Sequence, residues 1–172
     1  LILTGGFVSG GADGGSVHVS GIGSALVLLG VLLRDNMVAG EGFFDTRGGC
    51  VFAEDGSMVN ATGCQFDNVT AGFGGAICVT AATFYVRGCT FARNRARRGA
   101  SLAVQRESSG VRPAWGIVSD SAAYNGSATF FSGFAFNIGS YLEVNNVRIV
   151  GAYAGMGRNI CCASGIIWPV SP

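Results

Sequence analysis

The chain has 172 residues, of which 49% are hydrophobic and 12% charged, with a formal net charge of +1. It is too apolar to stay disordered, and a balance so close to neutral excludes the global field that draws proteins to nucleic acid or membrane headgroups. Gly supplies 29 residues, far above the roughly 7% of an average protein, which argues against helices.

In chain order, the first feature is GGSVHVS at 14–20, where His18 stands between valines with no carboxylate or Cys beside it in sequence. That pattern predicts a strand-surface position rather than a metal or catalytic one. IGSALVLLGVLL at 22–33 has 12 residues and two glycines, short of the ~20 a membrane helix needs. Two buried strands account for it, and no membrane span is expected.

Next come GGCVFAEDGSMVNATGCQF from 48 and GGAICVTAATFYVRGCTF from 74, which match each other at an offset of 26 residues for the glycine pair and 25 for the Cys-x-Phe. Gly48-Gly49 aligns with Gly74-Gly75, Val51 with Ile77, Cys64 with Cys89, and Phe66 with Phe91. Looser copies start at RGASLAV (98), SGFAFN (132) and SGIIWPV (164), so glycine-led starts fall near 14, 48, 74, 98, 132 and 164. Self-similarity at this period is the signature of a solenoid.

Within a unit the pattern is period two, as in AICV, TFYV and CTF, with turns between. Three short strands per unit predict an all-β fold, a right-handed parallel β-helix of about six coils, as one domain over residues 1–172. Successive coils stack about 4.8 Å apart, so Val51 with Ile77, Cys64 with Cys89 and Phe66 with Phe91 are expected to form inward ladders, extended by Leu33 and Ala122. The alternative is a β-sandwich, which requires antiparallel hairpins. Leu1 and Pro172 fall where a repeat is in progress, so a longer parent polypeptide is expected.

The pairing of GGAI at 74–77 with FARN at 91–94, with LRDN at 33–36 as a variant, resembles the repeats of chlamydial polymorphic membrane proteins. FDNV at 66–69 carries its Asn one place early. The resemblance implies elongated, non-enzymatic surface proteins and adhesins.

Glycoside cleavage requires two convergent carboxylates. Glu54-Asp55 reads as a turn. The register places Asp67 outward and Asp120 at the Cys position of the ladder, and Asp45 stands apart, so no acid pair forms. No cofactor fingerprint or zinc-spaced ligand set occurs, and no catalytic or metal residue is assigned. The densest charge is Arg93, Arg95, Arg97 and Arg98, read as a solvated turn or a grip on sulfated or carboxylated glycans. Aromatic residues do not interleave with these arginines, so nucleic acid is not expected.

Cys64 and Cys89 lie within disulfide reach, and a reduced Cys ladder fits equally well. Cys50 and Cys78 share parity one step apart, offering a diagonal bridge, and Cys161-Cys162 cannot both face inward. Six cysteines and three sequons, at Asn60, Asn68 and Asn125 in or beside turns, favour an oxidising compartment and sugar attachment. The expected function is therefore a non-catalytic structural or adhesive segment of a cell-surface, secreted or appendage protein. Its expected partners are other subunits or further coils, with glycans a further candidate. A carbohydrate-active β-helix enzyme or a glycan-binding module is the alternative.

Overall fold

The structure, a computed structural model, describes residues 1–9, 13–39, 46–105, 112–130, 133–136, 140–156 and 160–162. One coil runs through strands Gln65–Asp67, Thr70–Phe73, Ile77–Thr80 and Thr83–Arg87, and the next through Thr90–Ala92, Arg95–Arg98, Leu102–Gln105 and Trp115–Ser119. Each strand pairs in parallel with its equivalent one coil away. The result is four sheets, numbered 1 to 4 in chain order, with six, six, six and five strands. The described chain passes through all four sheets five times and adds three further strands, so the expected six coils are five complete and one partial. Parallel pairing throughout the described residues removes the β-sandwich alternative, whose hairpins would pair antiparallel.

Each coil has four strands where three were expected. The fourth is Arg95–Arg98 and its equivalents, read from sequence as a turn because arginines fill it. In the structure it alternates, Ala96 being buried between exposed Arg95 and half-buried Arg97. A charged outward set hid a strand whose inward set is a single small residue.

The inward ladders form the core. Val51, Ile77 and Leu102 are in register, as are Leu33, Phe66 and Phe91, and all are essentially inaccessible. The Phe66 and Phe91 rings stack at 5.0 Å and 8°. Beyond Phe91 the ladder continues in Ala123, not Ala122, which pairs with Thr90. The same one-residue offset puts Ser121 at the Cys position, while Asp120 is exposed at a positive-φ corner. In sheet 4 a large and a small residue interlock: a Cβ on Gly116 would lie 2.4 Å from the Phe84 ring.

The two repeat motifs have distinct physical tasks. Gly74 takes φ +58°, a conformation that side chains disfavour, and a Cβ on Gly75 would sit 2.2 Å from the Ala100 carbonyl oxygen of the next coil. In the Phe-x-x-Asn motif, the Asn side chain ties one coil to its predecessor. Buried Asn94 accepts the Val69 amide at Oδ1 (3.0 Å) and donates from Nδ2 to the Phe66 carbonyl (3.1 Å). Asn36 likewise accepts the Gly6 amide at 2.7 Å and donates to the Leu3 carbonyl at 3.4 Å. These bonds satisfy backbone groups that the corner removes from the strand ladders.

Candidate functional site

Sheet 4 consists of Ala25–Leu29, Met58–Thr62, Thr83–Arg87, Trp115–Ser119 and Tyr141–Asn145. Its inward positions are filled by Val59, Phe84, Val86, Val118 and Leu142. Alternation then sends the intervening residues outward, and beside polar ones such as Asn60, Thr62, Arg87 and Glu143 they include large apolar and aromatic side chains. Val27 is 55% exposed, Leu29 67%, Trp115 38% and Tyr141 46%. Trp115 and Tyr141 are cross-strand partners, and Tyr85 meets Trp115 edge to face at 5.5 Å. Three aromatic rings grouped on adjacent strands beside exposed Val27, Leu29 and Met58 are a composition common at contact surfaces. Sequence reading counted these residues as strand formers and missed them as a face, although the 25-residue register from Asn60 to Tyr85 and its successors would have aligned them.

The arginine run divides by geometry. Arg93 occupies a positive-φ corner and donates to both Asp67 oxygens, its Nε bond being 2.9 Å. The Asp67 carboxylate raises the affinity of the Arg93 guanidinium for its proton. Arg98 lies 5.7 Å from the rings of Phe73 and Phe130, and Arg97 is 5.7 Å from Phe130. Arg95 stands exposed at the edge of an open trough on sheet 2. The expected single grip is thus four differently committed side chains.

On the outer face of sheet 3, charged groups meet that are distant in sequence. His18 Nε2 and Glu54 Oε1 are 2.9 Å apart, and the imidazole packs 5.0 Å from the Phe52 ring. The carboxylate partner that sequence reading did not find comes from the coil 34 residues on, since Ser20 pairs with Glu54. Asp13 accepts the Arg47 amide at 2.7 Å, and burial raises its carboxyl above the usual range against the pull of Arg47. Ser20 donates to Asp55 at 3.0 Å, and Asp55 has φ +55°, as its turn reading requires. These acids are engaged with neighbours of their own chain. Among the described residues, no three His, Cys, Asp or Glu side chains gather as a metal site. Asp45, and Arg106 beyond the arginine run, lie outside the described residues.

Cys50, Cys64, Cys78 and Cys89 are free, buried thiols. Cys64 donates to the Leu28 carbonyl and Cys89 to the Ala61 carbonyl, each at 3.4 Å, so the reduced ladder is the arrangement present. The diagonal bridge between Cys50 and Cys78 is overturned. Cys50 joins the central core, while Cys78 lies with Phe52 and Ala103 on the other face of sheet 3, because the corner before Val51 resets the alternation. Cys161 and Cys162 end sheet 3, and their side chains lie outside the described set.

Of the sequons, Asn68 and Asn125 are exposed at equivalent corners with φ of 52° and 49°. Asn68 donates from Nδ2 to Asp35 at 2.8 Å. Asn60 is half-buried inside a sheet 4 strand, not in a turn, and its Oδ1 accepts from the Thr62 hydroxyl at 3.4 Å. Among the described residues, no helix is long and apolar enough to cross a membrane. No protein-family model matches the chain, and no curated protein or solved structure matches it.

Proposed function

We propose that the chain is a non-catalytic structural and adhesive β-helical segment of a cell-surface, secreted or appendage protein, whose sheet 4 docks against other subunits or further coils. One observation carries this reading: Tyr85, Trp115 and Tyr141 project outward together, beside Val27, Leu29 and Met58, from a sheet whose inner side is already packed. Exposed Tyr and Trp on a rigid support are residues that anchor protein interfaces, because they bury large areas at little cost in side-chain entropy. A stack of parallel coils supplies that support, since each outward residue is fixed by an inward neighbour in the core.

The kinship of the GGAI and Phe-x-x-Asn grammar with chlamydial polymorphic membrane proteins belongs to this proposal, as do the surface location and glycans on Asn60, Asn68 and Asn125. The enzyme reading receives less support, because Asp13 and Glu54 are held by Arg47 and His18.

The test is a double variant, Trp115→Glu with Tyr141→Glu, expressed in the parent polypeptide. Both positions are partly exposed, so the variant should fold with an unfolding midpoint close to the wild type. It should nevertheless no longer co-sediment with the native assembly. Retention at the wild-type level would refute docking through sheet 4.

A further inference from the structure

Sheet 2 carries a surface of different chemistry. Its strands are Phe7–Val8, Met37–Val38, Thr70–Phe73, Arg95–Arg98, Ser127–Phe130 and Tyr153–Met156. Cross-strand register sets Thr70, Arg95, Ser127 and Tyr153 in one outward column. In the column beside it stand Thr129 and Gly155, whose missing side chain leaves an open trough bordered by Arg95, Ser127, Thr129 and Tyr153. The six strands contain no Asp or Glu, while one of them brings three arginines. Arg93 is held by Asp67, Arg97 lies over Phe130, and Arg98 lies over Phe73 and Phe130. Arg95 is exposed, and among the described residues no carboxylate pairs with it.

We propose that this trough binds an anionic saccharide, with Arg95 pairing with a sugar carboxylate or sulfate, Ser127 and Thr129 bonding ring hydroxyls, and Tyr153 packing on the sugar's apolar face. A guanidinium presents a planar fork that matches either anion bidentately. Side-chain hydroxyls both donate and accept, which suits a polyhydroxylated ligand. Tyr153 is 70% exposed, so its ring is open to contact. It lies two rungs from Arg95, about 10 Å at ~4.8 Å per rung, a separation that successive sugars of an oligosaccharide bridge. One unpaired guanidinium is too little charge for a polyphosphate backbone, and the trough has a single stacking ring, which disfavours nucleic acid. The site is on a different sheet from the docking face, so either assignment can fail while the other stands.

The experiment is calorimetric titration of the full chain with a heparin tetrasaccharide, a polygalacturonate tetramer and neutral maltotetraose, at low and high salt. At least one acidic probe should bind, more weakly as salt rises, and maltotetraose should not. Preference between the two acidic probes tells sulfate from carboxylate. Arg95→Gln should weaken binding about tenfold or more, the loss expected for a charge-assisted pair. Tyr153→Ala should weaken it too, and Arg148→Gln, on sheet 1, should leave it unchanged. Thermal unfolding verifies that each variant is folded; if Arg95→Gln is not, Arg95→Lys, which keeps the charge and loses the fork, should show a partial loss. The proposal is overturned if neither acidic probe binds, if maltotetraose binds equally well, or if the folded Arg95 variants bind like the wild type.

Discussion

Cys50 and Cys78 sit in apolar surroundings that push their thiols up to about 12, and Cys89 is raised to about 11 by the same loss of solvation. The unfolded chain returns each to its ordinary value near 9. Above that value the unfolded state therefore sheds protons that the folded state keeps. Stability from these groups is complete below about pH 9 and is lost progressively as pH rises from about 9 towards 12. Urea midpoints measured at pH 7, 8 and 10 should be level between the first two and lower at the third, with a shallower fall in Cys78→Ala. An equal midpoint at pH 10 would show that these thiols ionise as freely in the folded chain as in the unfolded one. The cysteine ladder was legible from the alignment of Cys64 with Cys89, but its redox state was not, because ladder spacing suits a thiol pair and a disulfide alike. The Phe-x-x-Asn motif was visible as a pattern only. Its purpose, the Asn94 amide bridging Val69 and Phe66, depends on a corner whose unpaired backbone groups no sequence window displays.

At the scale of the strand, inward and outward residues contribute unequally. Phe91 is enclosed and stacked on Phe66, whereas Tyr85, on the outer face of sheet 4, is 37% exposed. Phe91→Ala removes buried area and leaves a cavity between rigid coils, so it should cost about 3–5 kcal/mol. Tyr85→Ala should cost well under half of that while leaving sheet 4 intact. Chemical unfolding of the two variants compares them directly, and similar losses would mean that the core does not run through the Phe ladder. This ladder was readable because Phe66 recurs as Phe91 after 25 residues, almost the offset of 26 at which Val51 recurs as Ile77. The strand Arg95–Arg98 was not readable, since three of its four residues are charged and only Ala96 faces inward. The pairing of His18 with Glu54 lay equally hidden, although the 34 residues between the glycine starts at 14 and 48 supply its register. Ala122 and Asp120 were misplaced by one position where the spacing between coils changes, which shows how a single extra residue transfers a side chain from one face to the other.

For the whole molecule, four parallel sheets produce a stack in which every coil offers the same four outward surfaces, and the residues placed there decide what each surface does. Sheet 2 is basic and hydroxylated, sheet 3 carries the His18 and Asp13 pairs over a second buried cluster, and sheet 4 exposes three aromatic rings with Val27, Leu29 and Met58 among polar side chains. Such a division of chemistry among faces suits a scaffold that meets several neighbours at once, and sheet 4 is the face whose exposure to water is least favourable. The most direct measurement is covalent labelling of Tyr85, Trp115 and Tyr141 by hydroxyl radicals, read by peptide mass spectrometry on the native assembly and again after its dissociation. The account predicts that all three are protected in the assembly and become reactive on dissociation. Equal labelling in both states would mean that sheet 4 faces solvent in the working protein, and the docking role would have to be abandoned.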